Sequence, residues 1–158
     1  MKYWLIKSEP DVFSIDDLKN AAQQTTPWEG VRNYQARNFM RDEMQLGDQA
    51  LFYHSNCKPP GIAGIATVVS GAYDDPSQFI ASNHYYDSAS RPDQPRWQLV
   101  DFQYQRHLER FIALDELKQE PELAAMLILR KGSRLSITPV DPAHFDYIIQ
   151  LARTPRVS

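Results

Sequence analysis

The hydrophobic residues of this chain fall into short segments separated by polar turns. Strands are indicated where aromatic and β-branched residues run together or alternate with polar ones between turn residues. By this criterion the sequence predicts strands over residues 3–7, 50–54, 62–69, 97–104 and 134–138. Residues 73–95 form a long, polar, proline-containing connection between two of these strands. A connection of that length within one domain is more often functional or mobile than inert.

Helices are indicated where apolar residues recur at helical spacing behind a capping residue. Ser14, with Asp17 three positions on, is close to a capping-box pattern and predicts a helix that continues to about Gln24. Residues 25–27 are expected to stop it, and its buried face is expected to hold Ile15, Leu18 and Ala22. Asn33 is predicted to cap a second, short helix.

The last helix is predicted from an Asp-Pro pair. Asp141 is a capping residue and Pro142 has the fixed φ angle that suits the first helical position. Pro139 is expected to end the preceding strand. The same Asp-Pro pattern at Asp75 and Pro76 predicts a single helical turn. The buried stripe of the last helix is predicted to be Phe145, Ile148, Ile149 and Ala152.

These elements follow one another without a regular βαβ alternation. Strands at the start, middle and end of the chain have to pair over long distances in sequence. This indicates an α+β fold around a mostly antiparallel, curled sheet or small β-barrel flanked by short helices. The 158 residues contain no internal repeat and no linker, so we expect one domain over residues 1–158.

Composition and charge narrow the possible environments and partners. The single cysteine, Cys57, excludes an intrachain disulfide and fits a reducing compartment. The apolar run at the N-terminus is too short for a signal peptide or a membrane span, so we expect a cytoplasmic monomer without a membrane partner. A net charge of −3 argues against binding nucleic acid mainly through a broad basic surface.

One segment, Trp28–Arg41, combines flat rings, arginines and amides with one acid, Glu29. Arginine offers a planar set of donors, aromatic rings stack on bases, and asparagine both donates to and accepts from a base edge. These side chains suit a pocket for a base and a phosphate. The alternative is structural: the rings pack a short helix, and the arginines are solvated or pair with nearby acids.

Other classes of chemistry have weaker support. His54 precedes Ser55, but neighbouring strand residues point to opposite faces, and no G-x-S-x-G motif is present. The four histidines follow no metal-binding spacing. Neither G-x-G-x-x-G nor a Walker A motif occurs, and the glycines of 61–64 lie inside a predicted strand. We therefore expect no enzyme, no catalytic residue, no cofactor and no metal ion.

Four segments, taken in order, resemble the EVE domain family. They are YWLIKSEP at 3–10, WEGVRNYQARN at 28–38, FYHS at 52–55 and GIAG at 61–64. The second string is highly specific, the resemblance spans nearly the whole chain, and these segments show no departure from the family pattern. It implies a PUA-like fold and kinship with YTH domains, which hold N6-methyladenine of RNA in an aromatic cage.

The resemblance also implies a function. EVE domains are associated with modified bases, notably modified cytosines in DNA. We therefore expect a non-catalytic domain that binds nucleic acid, DNA or RNA, with a modified base in an aromatic and polar pocket. The expected ligand-binding residues are Lys7, Ser8, Trp28, Val31, Arg32, Asn33, Tyr34, Arg37, Tyr53, His54 and Ser55.

Within this set, the resemblance to YTH domains implies that Trp28 is a cage wall that stacks on an extruded base. Hydroxyl and amide contacts are expected from Ser8, Asn33 and Ser55. Arg32 and Arg37 are expected to hold the phosphate or the base edge, and one of Tyr53 and His54 is expected to form a side wall.

The same pocket suits a second class of ligand. A small anionic metabolite or a free nucleotide would use the same rings and cations without a polymeric partner. The sequence leaves this alternative open, together with the choice between DNA and RNA.

Overall fold

A curled, mixed sheet of six strands organises the protein. The structure is a computed structural model that describes residues 1–132 and 134–155. The strand order in the sheet is β2-β7-β4-β3-β1-β8, and β5 and β6 form a separate pair. The strands are β1 Tyr3–Ser8, β2 Thr25–Pro27, β3 Gln49–His54, β4 Gly61–Val68, β5 Tyr73–Asp74, β6 Gln98–Leu99, β7 Asp101–Ala113 and β8 Ile137–Val140.

The pairing within the sheet is antiparallel except at its centre. There β1 lies parallel to β3, with Tyr3 opposite Gln49 and Ser8 opposite His54. The hairpin predicted from β3 and β4 is present, and its register shifts between Phe52 and Tyr53. Such irregularities bend a strand and increase its twist, which helps to curl the sheet. The predicted α+β, PUA-like, curled sheet is thus confirmed.

Short helices flank this sheet. Within the described ranges, none of them is long and apolar enough to cross a membrane. The α-helices are α1 Ile15–Asn20, α2 Tyr34–Asn38, α3 Leu114–Lys118 and α4 Pro142–Ala152. A π-helical turn, Phe39–Glu43, continues α2, and 3₁₀ turns occupy Ala22–Gln24, Pro76–Phe79, Pro121–Leu123 and Leu127–Leu129.

The core has two parts because the central strands are buried on both faces. Alternate side chains of a strand point to opposite faces of the sheet. In β1, Trp4 and Ile6 belong to one hydrophobic cluster, whereas Leu5 belongs to the other. In β3, Phe52 joins Trp4, and Tyr53 joins Leu5. The candidate site lies on the side of the first cluster.

The predicted capping residues are confirmed. Ser14 and Asp17 form a reciprocal capping box at α1. Asn33 accepts from the N–H of Ala36 at the start of α2. The side chains of Asp75 and Asp141 accept from backbone N–H groups of the turns that they open.

Several predicted boundaries are wrong. Helix α1 ends at Asn20, and Ala22 is exposed, because Gln23 and Gln24 adopt positive φ angles of 55° and 53°. Residues 25–27 form strand β2 on β7. Pro139 lies inside β8, which is an edge strand and tolerates the missing N–H.

Candidate functional site

A cavity of about 840 Å³ opens where β1 ends, next to the loop that begins at Trp28. Its volume is in the range of pockets that hold a small organic ligand. Six of the predicted ligand-binding residues line it: Lys7, Ser8, Trp28, Val31, Arg32 and Ser55. Residues that the sequence analysis did not single out also line it: Glu9, Val12, Phe13, Thr26, Pro27, Glu29, Gly30, His84, Tyr85, Arg134 and Ser136.

Backbone hydrogen bonds around the end of β1 hold the polar wall of the cavity. The N–H of Ser55 donates to the carbonyl of Ser8 at 3.0 Å, and the N–H of Lys7 donates to the carbonyl of Ser136 at 2.9 Å. The hydroxyl of Ser8 donates to the carbonyl of Phe13 at 2.5 Å. With its proton engaged, the Ser8 oxygen faces a ligand as an acceptor.

Trp28 is both a cavity wall and a core residue. Only 8% of it is exposed. Its ring meets Phe52 and Phe102 edge-on, at centroid distances of 5.7 and 5.3 Å, and its backbone N–H donates to the carbonyl of Val100. The ring is therefore held rigidly, so that stacking on a base would cost little further side-chain order.

Lys7 carries a positive charge into the cavity wall. Burial lowers the pKa of its ammonium group. Among residues 1–132 and 134–155, neither a hydrogen bond nor an ion pair engages this ammonium. A half-buried cation without a partner is costly, and an anionic or carbonyl group of a ligand would offset that cost.

Arg32 lines the cavity, but its donors are directed into the protein. Nε and Nη2 donate to the carbonyl of Tyr85, Nη1 to Asp75 and the carbonyl of Val31, and Nη2 also to Ser77. These five bonds equal the number of N–H donors on a guanidinium group. The phosphate role predicted for Arg32 would therefore require it to give up bonds that hold the loop of residues 73–97.

Asp75 is the anion at the centre of this arrangement, and it is 1% exposed. One carboxylate oxygen accepts from the N–H and hydroxyl of Ser77, and the other accepts from Gly30 N–H and Arg32. We refer to Gly30, Arg32, Asp75, Ser77 and Tyr85 as the loop clamp. The clamp joins the segment after Trp28 to the long polar connection.

Gly30 is required in the loop clamp for two reasons. Its φ angle is +84°, a conformation that other residues rarely adopt. A Cβ atom at this position would also lie 2.5 Å from the ring of Tyr85. The glycine thus lets Tyr85 lie directly over the backbone beside Trp28 and form part of the cavity.

Asn33, Tyr34 and Arg37 are not among the residues that line the cavity. Asn33 caps α2. The ring of Tyr34 stacks on Trp97 at 4.8 Å, and the guanidinium of Arg37 lies 4.7 Å from the centre of the Tyr34 ring. Arg37 also donates to Asn38 and to the carbonyl of Arg96. These three residues pack α2 against the end of the polar connection.

Tyr53 and His54 also lie outside the cavity lining, each for its own reason. Tyr53 points into the second hydrophobic cluster, where burial raises its pKa to about 12. His54 points to the other face, and its Nε2 accepts from the N–H of Ile15 at 3.2 Å. The predicted alternation of the two side chains is present, but it places neither ring on the cavity wall.

The bond from Ile15 makes the stability of the protein depend on His54. Burial lowers the pKa of His54 below 6.5, with opposing effects from Asp16, which raises it, and His107, which lowers it. The unfolded chain therefore takes up a proton first, and stability contributed by neutral His54 is lost as the pH falls below about 6.5.

We expect His54→Gln to reduce this pH dependence. Glutamine keeps an acceptor for Ile15 but does not titrate. Urea denaturation between about pH 7 and pH 5 should show a smaller loss of unfolding free energy in the variant than in the parent. Equal losses in the two proteins would show that His54 does not set this dependence.

Tyr85 and Arg134 are cavity residues that were not predicted from the sequence. Both are distant in sequence from Trp28, Tyr85 in the irregular polar connection and Arg134 at the start of a predicted strand. The length of the polar connection was the signal that could have pointed to Tyr85, since long ordered loops often carry function.

Comparisons with known proteins place this geometry in a wider context. The EVE domain family model matches residues 2–151. Mouse thymocyte nuclear protein 1 is 46% identical over 96% of this chain and 74% of its own length. The crystal structure of the human THYN1 protein in complex with 5-methylcytosine-containing DNA has a TM-score of 0.93 at 46% identity, covering 99% of this chain and all of that one.

A more distant structure shares the fold. A YTH domain of Zygosaccharomyces rouxii, in complex with N6-methyladenosine RNA, matches with a TM-score of 0.56 at 15% identity, over 99% of this chain and 87% of that one.

The expectation of a cytoplasmic protein is contradicted, because the mouse relative is named as a nuclear protein.

Proposed function

Because this chain belongs to the EVE domain family, we propose that it binds nucleic acid and holds a modified base in the cavity beside Trp28. The proposed role is recognition without a chemical step. The first candidate base is a modified cytosine in DNA, because the human relative was crystallised with 5-methylcytosine-containing DNA.

The cavity itself carries this proposal. It combines a rigid indole ring, the serines Ser8, Ser55 and Ser136, and an ammonium group that no other described residue engages, around a volume of about 840 Å³. A flat ring suits one face of a base, whose stacking contributes about 1–3 kcal/mol. Polar groups at the edge suit its donors and acceptors. A base has to leave its stack to enter such a pocket, as in other proteins that enclose single bases.

The polar residues have different proposed roles. The Ser8 oxygen is an acceptor and suits an exocyclic amino group, because its proton is engaged by Phe13. Lys7 donates to a carbonyl oxygen or phosphate of the ligand. Ser55, joined to Ser8 through the backbone, completes this wall. Arg32 supports the pocket through the loop clamp and does not touch the ligand.

A small anionic metabolite or free nucleotide is the second candidate ligand. The half-buried Lys7 favours an anion, whether or not that anion belongs to a polymer. The two ligands are separated by comparing a modified nucleoside monophosphate with an oligonucleotide that contains the same base. Tighter binding of the oligonucleotide supports the first proposal, and equal binding supports the second.

Lys7→Met tests the proposed pocket directly. Methionine has a similar length but cannot donate a hydrogen bond. We expect the affinity of the variant for a 5-methylcytosine oligonucleotide to fall by roughly 10-fold or more, the effect of losing a hydrogen bond from a charged group. The measurement is fluorescence anisotropy with pairs of oligonucleotides that differ only in the methyl group. One pair is DNA with or without 5-methylcytosine, and the other is RNA with or without N6-methyladenine.

Lys19→Met is the matched control because Lys19 is exposed on α1 and lies outside the cavity lining. It removes the same charge and should leave affinity unchanged. A parent protein that binds modified and unmodified oligonucleotides equally would contradict the proposed function. Unchanged binding by Lys7→Met would contradict the role of Lys7 alone.

A further inference from the structure

Three cations follow one another closely in a segment of the sequence without an acid, Arg130, Lys131 and Arg134, and the last of them lines the cavity. We call these residues the basic segment. We propose that the basic segment binds the phosphate backbone of the nucleic acid whose base enters the cavity. This inference rests on the proposed function and assigns the backbone contact to residues outside the aromatic segment of Trp28–Arg41.

The chain path connects the basic segment to the cavity. Arg134 and Ser136 both line it. The carbonyl of Ser136 in turn accepts a hydrogen bond from the backbone N–H of Lys7 at 2.9 Å. Arg134 therefore lies two residues along the chain from a residue that is bonded to Lys7. Arg130 lies four residues further from the cavity along the chain, within a reach of roughly 14 Å. At about 3.4 Å per nucleotide along one strand, this reach spans several phosphates.

The three side chains are available for a ligand. All three are exposed, and within the described part of the chain no hydrogen bond or ion pair engages their charged groups. Six other arginines differ in this respect. Ion pairs with acids engage Arg32, Arg41, Arg91, Arg106, Arg110 and Arg153.

The arginines first assigned to the phosphate are engaged elsewhere. Five hydrogen bonds hold Arg32 in the loop clamp, and Arg37 donates to Asn38 and to the carbonyl of Arg96. The whole chain carries a charge of −3 and repels a polyanion at long range. A local group of free cations is therefore needed to bring a backbone to the cavity mouth.

The proposal makes a specific prediction about salt. Each phosphate contact lowers the slope of log Kobs against log salt by about 0.7–0.9. In the variant R130Q/K131Q/R134Q we expect the magnitude of this slope to fall by about 2. Affinity at about 100 mM salt should fall roughly 10-fold or more, equally for modified and unmodified DNA, because phosphate contacts carry no base information.

A matched variant, K19Q/R91Q/K118Q, removes the same charge from exposed sites outside the cavity lining. Its slope should match that of the parent. The parent, the matched variant and the basic-segment variant are each titrated with the 5-methylcytosine oligonucleotide, its unmodified partner and the free modified nucleoside. Nucleoside binding should be the same in the parent and in the matched variant.

The possible results are distinct. An unchanged slope in the basic-segment variant, or an equal loss in the matched variant, overturns the assignment of the backbone contact. A change in the preference for the modified base would show that the segment contacts the base and would also overturn it. A parent without any preference for the modified base contradicts the proposed function itself, whatever the slope.

Discussion

Trp28→Ala is expected to lower the free energy of unfolding by about 3–5 kcal/mol, the range for removing a large aromatic side chain from a core. The reason is the position of the ring against Phe52 and Phe102, in the first hydrophobic cluster. Loss of the ring also removes the flat wall of the cavity. Base binding should therefore be lost as well, by at least the roughly 1–3 kcal/mol of one stacking contact.

The two effects of this substitution have to be separated. Trp28→Phe keeps an aromatic ring in the core but offers a smaller surface to a base, so it should retain most of the stability and lose part of the affinity. Urea denaturation reports the stability, and anisotropy with the modified oligonucleotide reports the affinity. If folded Trp28→Ala binds as tightly as the parent, the ring is not a wall of the binding site.

The second large effect is expected for Asp75→Ala, with a loss of about 3–5 kcal/mol in the free energy of unfolding. The substitution removes a buried carboxylate and leaves the partly buried guanidinium of Arg32 without its ion-pair partner. It also removes the acceptor for the N–H groups of Gly30 and Ser77. Each donor that is left unsatisfied adds to the cost.

Asp93→Ala is the control for Asp75→Ala. Asp93 also pairs with an arginine, Arg91, but both side chains are about two-thirds exposed, at 65% and 69%. Exposed pairs contribute about 0–1 kcal/mol, so this variant should resemble the parent. Similar losses in the two variants would show that burial does not decide the strength of these pairs.

Asp75→Ala should also weaken ligand binding through the loop clamp. Tyr85 lines the cavity, and Arg32 holds its carbonyl. Release of Arg32 from Asp75 loosens that wall, and hydrogen exchange should increase around residues 83–87. Unchanged exchange in this segment would mean that Gln78, which joins Asp75, Ser90 and Trp97, holds the loop without the carboxylate.

Much of the fold could be predicted from local patterns. Capping residues such as Ser14, Asn33 and Asp75 act on backbone groups only a few residues away. Their effect is therefore visible in a short window of sequence. The strand β2 was missed because three residues are too few to show an alternation, and only its pairing with β7 makes it a strand.

The candidate site was predicted less completely than the fold. Lys7, Ser8, Trp28 and Ser55 line the cavity as expected. Arg32 was correctly placed beside it, but its donors point inward because Asp75 is buried next to it. A sequence window around Arg32 contains no sign of Asp75, which lies 43 residues away.

Most of the elements, their caps and the concentration of rings and arginines in Trp28–Arg41 can be predicted from the sequence alone. These follow from spacing along the chain and from the chemistry of single side chains. Which of those side chains remain available for a ligand depends on contacts made in the folded protein. Hydrogen bonds and burial connect residues that are distant in sequence: Asp75 and Tyr85 engage Arg32, whereas no residue in the described ranges engages the Lys7 ammonium.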